Sequence, residues 1–290
     1  PIAPGGWRGI DGGGERPVKL SASTFVYYRY SLDDAILRTA SFGYEGVELW
    51  GGRPHAYCED MSGARIAGLR RLMADLNISV SNFIPAQFRY PVNIAAPDGD
   101  MRRASVDYMK RSIDAAAGLG SPSVSVCPGY SLYGQGRDAA WDAMLESMRA
   151  LSEHAAGMPL SLFLEPGNRH ETDLVITLDD GMRAIRELGR PMGLCVDTGH
   201  CFVNGEALSD VVSKTAGLAC HYHIDDNNGV TDDHMVPGDG RMHYDIFLRA
   251  LKASGYAGFL AVELGFQYTA DPDVAVRRSA VFLRKALEEL

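Results

Sequence analysis

The sequence predicts a single α/β domain, a closed barrel of eight parallel strands that are each followed by a helix, known as the TIM barrel. Three observations predict it. The chain has 290 residues, a normal length for a fold that typically takes about 250. From Val18 onward, short apolar or β-branched runs alternate with longer stretches of helical periodicity. Eight such pairs follow one another, which favours parallel strands joined by right-handed crossovers; a doubly wound open sheet is the alternative.

The predicted elements follow from that alternation. The strands are the short apolar runs, at 18–25, 45–49, 78–84, 122–127, 160–165, 192–197, 218–224 and 258–263. The helices are the longer periodic stretches, at 31–42, 62–76, 101–119, 137–156, 178–189, 207–215, 244–254 and 272–289. Together they fill residues 18–290, which we predict to be the catalytic domain.

Several predicted helices carry their own start and stop signals. Ser31 and Ser62 stand where a helix N-cap is expected, and Pro272 stands at a first helical position. The segments 42–47 and 254–259 each place a glycine after a helix and before an apolar run. These two segments predict a helix end, a tight turn and entry into the next strand.

The first 17 residues do not continue the pattern. They are rich in Gly and Pro, begin without Met and lack the apolar segment of a signal peptide. We expect residues 1–17 to form a flexible arm outside the barrel.

Composition excludes several classes of protein. Hydrophobic residues make up 46% and charged residues 22%, and the formal net charge is −9. A membrane span needs about 18 apolar residues in a row, and no run is that long. No basic cluster interleaved with aromatics is present for nucleic acid. The five cysteines show no C-x-x-C spacing, so we interpret them as reduced core residues and expect a cytoplasmic protein.

Four ligand-type side chains stand where predicted strands end: Glu165, Asp197, His223 and Glu263. In a TIM barrel the carboxyl ends of the strands carry the active site. Carboxylates in apolar runs are costly to bury unless they are paired, and four groups that converge at one barrel end can share a divalent cation. The alternative for each residue alone is a hydrogen-bonded polar group at a strand end. Four in register on the last four strands favour the metal site.

The ligand types indicate which metal. Three carboxylates and one imidazole form a hard oxygen and nitrogen set, which suits Mn²⁺, and also Mg²⁺ or Co²⁺, better than structural zinc. His221 lies two residues before His223 and faces the same side of the strand, but one layer deeper. We therefore predict one divalent ion, most readily Mn²⁺, and interpret His221 as a core histidine.

Five motifs in order carry a family resemblance. They are E-P-x-N-R-x-E at 165–171, D-T-x-H at 197–200, H-x-H at 221–223, V-P-G-x-G-R at 236–241 and V-E at 262–263. From about Val18 to the C-terminus the chain resembles the xylose-isomerase-like TIM barrels of sugar isomerases and epimerases. Within that group it is most similar to the ketose 3-epimerases, of the tagatose and psicose type and the fructoselysine type.

The resemblance implies roles for individual residues. The family's metal ligands match Glu165, Asp197, His223 and Glu263, and its contacts to substrate hydroxyls match Glu171 and His200. A further family contact is an arginine in the loop after strand 7. Counting back from the Pro-Gly places it at His234, whereas counting forward from His223 places it at Gly229; we take His234. Side chains in the predicted loops are further candidates to shape the sugar pocket, with loop packing as the alternative: Trp50, His55, Tyr57, Phe83, Phe88 and Tyr130. Among these we predict that His55 contacts substrate.

The implied reaction is a ketose 3-epimerisation. One of Glu165 and Glu263 removes the proton beside the ketone, the metal stabilises the enediolate, and the other glutamate returns the proton on the opposite face. The alternative is a C-glycoside deglycosidase subunit, a lyase that acts on 3-oxo-glycosides with the same site and usually needs a second chain. A DNA repair nuclease of the endonuclease IV kind and a sugar-binding protein without catalysis are less favoured. We expect a sugar or sugar derivative as the substrate, no nucleic acid or membrane partner, and a homo-oligomer, either a dimer or a tetramer.

Overall fold

A computed structural model describes residues 18–87 and 91–290 of the chain. The predicted arm at 1–17 and Phe88 lie outside the described residues. Eight strands form the wall of a barrel: β1 Lys19–Ser23, β2 Gly46–Gly51, β3 Ser79–Pro85, β4 Ser123–Val126, β5 Ser161–Leu164, β6 Gly193–Asp197, β7 Cys220–Ile224 and β8 Phe259–Val262.

Nine α-helices surround these strands within the described residues. They are α1 Leu32–Ser41, α2 Gly63–Asp75, α3 Gly99–Leu119, α4 Arg137–His154, α5 Leu178–Leu188, α6 Thr198–Val203, α7 Leu208–Lys214, α8 Asp245–Ala253 and α9 Pro272–Glu288. No helix in 18–87 or 91–290 is long and apolar enough to cross a membrane.

The barrel is closed and all its neighbouring strands are parallel. The last strand returns to the first, with Leu20 opposite Leu260 and Ala22 opposite Val262. This pairing removes both sheet edges. It confirms the predicted TIM barrel and excludes the doubly wound open sheet.

The predicted helix starts are confirmed. The side chains of Ser31 and Ser62 accept hydrogen bonds from the backbone N–H groups of Asp34 and Arg65, and Pro272 occupies the first turn of α9. Gly43 and Gly255 follow α1 and α8 with φ of 82° and 73°. Residues that carry a side chain rarely adopt this left-handed backbone conformation, whereas glycine adopts it at little cost. Glycine therefore ends the helix easily here.

One α-helix of the described residues, α6, was not predicted. Asp197 ends β6 and also caps the short helix α6, because its side chain accepts from the backbone N–H of His200. A six-residue helix is too short to display a periodicity, so the sequence pattern missed it. It turns the chain sharply at the barrel mouth and fixes His200 close to Asp197.

Helices cover the outside of the barrel with apolar side chains. Ile36 of α1, Met109 of α3, Met144 of α4 and Phe247 of α8 are all completely buried. Burial of such a side chain stabilises the fold by roughly 1.5–3 kcal/mol. These side chains bind the helices to the outside of the barrel and stabilise the scaffold that holds the site.

Candidate active site

The four predicted ligand residues meet at one end of the barrel. Asp197 is the last residue of β6 and His223 lies near the end of β7, while Glu165 and Glu263 directly follow β5 and β8. In a parallel barrel these positions share one rim. One ligand atom from each residue lies within 4.8 Å of the others.

The imidazole of His223 is the centre of this group. Its Nδ1 atom lies 3.0 Å from Glu165 Oε1, 2.9 Å from Glu263 Oε2 and 3.6 Å from Asp197 Oδ2. Three carboxylates this close repel one another unless a positive charge lies among them. A cation among the three carboxylates would remove this repulsion.

These residues fit a divalent metal ion. Asp197 Oδ2 is buried and has no hydrogen-bond partner in the structure, a costly state for a carboxylate oxygen unless a ligand completes it. The set of three carboxylates and one imidazole suits Mn²⁺, Mg²⁺ or Co²⁺.

Cys195 offers an alternative ligand to the same group, since its Sγ lies 3.4 Å from His223 Nε2. The carboxylate side of the ring offers three oxygen atoms, which hard divalent ions prefer to a thiol. A cation would therefore be held on the carboxylate side of the ring.

Glu48 lies beneath His223, inside the barrel. Its Oε2 accepts from His221 Nε2 at 2.8 Å, from His223 Nε2 at 2.9 Å and from Asn82 Nδ2 at 3.0 Å. A carboxylate only accepts, so Nε2 of His223 must carry the proton and Nδ1 presents its lone pair to the rim. Glu48 thus fixes the tautomer and the orientation that a metal ligand needs.

His200 and Glu171 stand beside the ligand group. His200 Nδ1 lies 2.9 Å from the Pro166 carbonyl, and its Nε2 lies 3.1 Å from Asp232 Oδ2 and 3.7 Å from Glu171 Oε2. Both ring nitrogens face acceptors, which favours the imidazolium. Burial raises the pKa of the Glu171 carboxyl, so Glu171 is suited to donate as well as accept hydrogen bonds.

Asp232 lies between His200 and His234 and connects these two histidines. Besides His200, its Oδ2 lies 2.9 Å from His234 Nε2 and accepts from Asn168 Nδ2 at 2.9 Å. His234 Nδ1 lies 2.8 Å from Asp225 Oδ2. Burial lowers the pKa of His234, but the carboxylates of Asp225 and Asp232 outweigh burial and raise that pKa well above its usual value. His234 is therefore a buried cation at the pocket wall.

Comparisons with known proteins identify the family of the chain. The profile of the xylose isomerase-like TIM barrel matches residues 36–286, most of the chain. The chain belongs to this family. The resemblance inferred from the five motifs is confirmed.

Several named relatives of the chain are sugar epimerases. A fructoselysine 3-epimerase of Shigella flexneri is 28% identical over 273 residues, which are 94% of this chain and 99% of the relative. A D-psicose 3-epimerase of Agrobacterium fabrum is 23% identical over 82% of this chain and 83% of its own. A crystal structure of D-psicose 3-epimerase in the presence of D-fructose superimposes with a TM-score of 0.80 at 19% identity, covering 93% of this chain and 99% of that one. The predicted enzyme class, an isomerase, is confirmed.

A cavity of about 900 Å³ opens above the ligand group. Six of the predicted site residues line it: Glu165, Glu171, His200, His234, Glu263 and Trp50. Of the two positions considered for the family's arginine, His234 is among the residues that line the cavity and Gly229 is not.

The structure places His55 elsewhere than predicted. It is buried behind Trp50, with ring centroids 5.7 Å apart, and its Nε2 lies 3.1 Å from the Tyr27 carbonyl and 3.2 Å from the Tyr30 carbonyl. Burial lowers its pKa to about 4. This location corrects the prediction that His55 contacts substrate: it ties the loop after β2 to the segment after β1.

Two other predicted pocket aromatics, Phe83 and Tyr57, are packing residues. Phe83 is completely buried, and Tyr57 stacks on Tyr108 at 5.9 Å. Three residues of the site had no predicted role: Glu48, Asp225 and Asp232. Glu48 carries the same strand-end signal as the four ligands, but Asp225 and Asp232 stand in a loop without periodicity, where only the fold reveals their partners.

Proposed function

We propose that the protein is a divalent-metal-dependent ketose 3-epimerase. The observation that carries the proposal is the position of two glutamates, Glu165 and Glu263, in one ligand group at the base of a cavity. They come from β5 and β8, three strands apart around the barrel. The named relatives are epimerases, which favours inversion over the elimination of a deglycosidase.

The metal would be held by Glu165, Asp197, His223 and Glu263, most readily as Mn²⁺, with Mg²⁺ or Co²⁺ as alternatives. When bound there, a divalent ion supplies a Lewis acid that polarises the substrate carbonyl. The predicted homo-oligomer and cytoplasmic location remain predictions.

The chain's own residues would perform the proton transfers. Glu165 and Glu263 approach the cavity from two strands, so that each can face one side of a substrate carbon. One carboxylate accepts the proton next to the ketone and the other carboxyl delivers a proton to the opposite face, which inverts that centre. The charged His200 and the Glu171 carboxyl would bind the hydroxyl groups beside the reacting carbon.

Replacing each glutamate with glutamine tests this proposal. Glu165→Gln and Glu263→Gln keep an oxygen for the metal but remove the carboxylate base, so kcat for ketose epimerisation should fall by about 10²–10⁴-fold. The metal content per chain, measured by elemental analysis, should be reduced rather than lost. Glu146→Gln, on the exposed face of α4, is the matched control and should keep wild-type kinetics.

Exchange of the substrate proton in D₂O makes the test sharper. If each glutamate serves one face, Glu165→Gln should still exchange the proton of one epimer and Glu263→Gln that of the other. NMR of the two epimers measures both rates. Wild-type exchange of both epimers by both variants would show that these glutamates are ligands only.

A further inference from the structure

The carboxylate between the two site histidines, that of Asp232, lines the cavity of about 900 Å³. Its side chain is only 8% exposed. Asp225, whose Oδ2 lies 2.8 Å from His234 Nδ1, is completely buried and is not among the described residues that line this cavity. Of these two carboxylates, Asp232 is therefore the one that a molecule in the cavity can contact.

The two oxygens of Asp232 have unequal surroundings. Three donors meet at Oδ2, which lies 3.1 Å from His200 Nε2, 2.9 Å from His234 Nε2 and 2.9 Å from Asn168 Nδ2. Oδ1 is buried and has no hydrogen-bond partner among residues 18–87 and 91–290. A carboxylate can accept at both oxygens, and a buried acceptor without a donor is costly unless a ligand completes it. The structure thus fixes one oxygen and leaves the other available.

The charge around Asp232 keeps this residue an acceptor. Burial raises the pKa of the Asp232 carboxyl, but His234 and His200 outweigh burial and lower that pKa. An ionised carboxylate accepts hydrogen bonds and donates none. Oδ1 therefore suits a group that donates, such as a sugar hydroxyl, and disfavours a group that only accepts.

We propose that Asp232 is a further substrate-binding residue, whose Oδ1 accepts a hydrogen bond from one hydroxyl group of the sugar. The inference rests on the proposed function, because the reacting carbon of a ketose must lie next to Glu165 and Glu263. Three donors on Oδ2 hold the carboxylate in place for this contact. A sugar that lacks this hydroxyl leaves Oδ1 unpaired and is rejected, so Asp232 contributes to the choice of substrate.

Asp232→Asn tests the contact with the smallest change in shape. Because three donors meet at Oδ2, the amide oxygen of the variant should take that place, and its N–H₂ group should replace Oδ1. The probes are D-fructose and its 1-deoxy, 4-deoxy, 5-deoxy and 6-deoxy derivatives. NMR in D₂O measures kcat/KM for proton exchange at C3 of each sugar, with Mn²⁺ added to every variant.

The expected result is a loss that one of the five sugars escapes. For D-fructose and three deoxy sugars, Asp232→Asn should lower kcat/KM by about 10–100-fold, the effect of a hydrogen bond to a charged group. For the deoxy sugar that lacks the bound hydroxyl, kcat/KM should change by about twofold at most. Asp232→Ala, which lacks both oxygens, should spare the same deoxy sugar. Thermal unfolding checks that both variants are folded.

Asp233→Asn is the matched control, because it makes the same change one residue away, where the Thr231 hydroxyl donates to the carboxylate at 2.9 Å. It should keep wild-type kcat/KM for all five sugars. An equal loss for all five sugars in Asp232→Asn would overturn the proposal, since it would show an effect on the histidines and not a hydroxyl contact. Wild-type values for all five would overturn it as well.

Calorimetric binding separates this proposal from the proposed function. If D-fructose is epimerised but Asp232→Asn does not distinguish among the five sugars, the contact is wrong and the epimerase stands. If the wild type binds D-fructose more tightly than one deoxy sugar, and Asp232→Asn removes that difference while no sugar exchanges its proton, the contact stands and the epimerase proposal is wrong. A wild type that neither binds D-fructose nor exchanges its proton would overturn both.

Discussion

At the scale of single residues, the proposed chemistry depends on His223, whose two ring nitrogens have different partners. Nδ1 of His223 faces three carboxylates at the rim, and Nε2 donates to Glu48 inside the barrel. A carboxylate behind a metal-binding imidazole fixes the ring orientation and raises its basicity. Glu48 is buried, and Asn82 and His221 hold the same carboxylate oxygen. It is therefore rigid enough to position His223.

Replacing Glu48 tests that role. Glu48→Gln removes the charge and brings an amide N–H₂ toward two imidazole donors, so His223 should lose its fixed orientation. Because partners of this kind typically contribute 10–100-fold to metal affinity, Mn²⁺ should bind about 10–100-fold more weakly in a titration against a competing chelator.

Glu45→Gln is the matched control, since it makes the same change just before β2, far from the rim. Its metal affinity should equal that of the wild type. Wild-type affinity in Glu48→Gln as well would mean that His223 is oriented by the barrel packing alone.

The sequence identified some of these residues and not others for a physical reason. Glu165, Asp197, His223 and Glu263 each interrupt or end an apolar run, which is visible locally. The role of Glu48 depends on a contact with His221, 173 residues away along the chain. The burial of His55 against two backbone carbonyls likewise depends on how two loops pack. Such contacts exist only after the barrel closes.

At the scale of elements, the loop between β7 and α8 builds the substrate side of the site. Asp226 and Met235 exchange two backbone hydrogen bonds, of 2.9 and 2.7 Å. Next to this bridge, His234 adopts φ of 43°, a left-handed conformation that costs a non-glycine residue about 1–3 kcal/mol. The loop holds His234 in that conformation against Asp225 and Asp232. These contacts fix the imidazole at the pocket wall.

His234→Ala should therefore alter substrate binding and leave the metal in place. The variant loses the cation at the pocket wall, so we expect KM for ketoses to rise or the preference among them to change, with metal content equal to the wild type. His243→Ala, an exposed histidine of the same loop, is the control. Unchanged kinetics on every sugar in His234→Ala would show that His234 does not face the substrate.

Elements with regular periodicity were predictable, and irregular ones were not. Each of the eight strands and the eight longer helices was recognised from its hydrophobic pattern, with boundaries shifted by one or a few residues. Glu165 and Glu263, for example, stand just beyond β5 and β8 rather than at their last positions. Helix α6 was missed because the strand end and the helix cap are the same residue, Asp197.

At the scale of the whole molecule, the ligand group links four consecutive strands. Glu165, Asp197, His223 and Glu263 lie at the carboxyl ends of β5, β6, β7 and β8, which form half of the closed wall. Without a cation, their three carboxylates repel one another at the rim. Metal binding should therefore stabilise the folded barrel as a unit, since the unfolded chain cannot bring these four residues together.

Thermal unfolding with and without metal measures this coupling. A ligand present at 100 times its Kd stabilises the folded state by about 2.7 kcal/mol, which for a domain of this size corresponds to roughly 5–10 °C in Tm. Protein treated with EDTA and dialysed should melt lower by about that amount, and added Mn²⁺ or Co²⁺ should restore the higher Tm.

Asp197→Asn should lose most of the shift. Asp233→Asn changes a charge in the same cavity but leaves the ligand set intact, and should keep it. If the chelated and metal-loaded wild types melt together, the four residues do not form a metal site, and their carboxylates must be neutralised by protons instead.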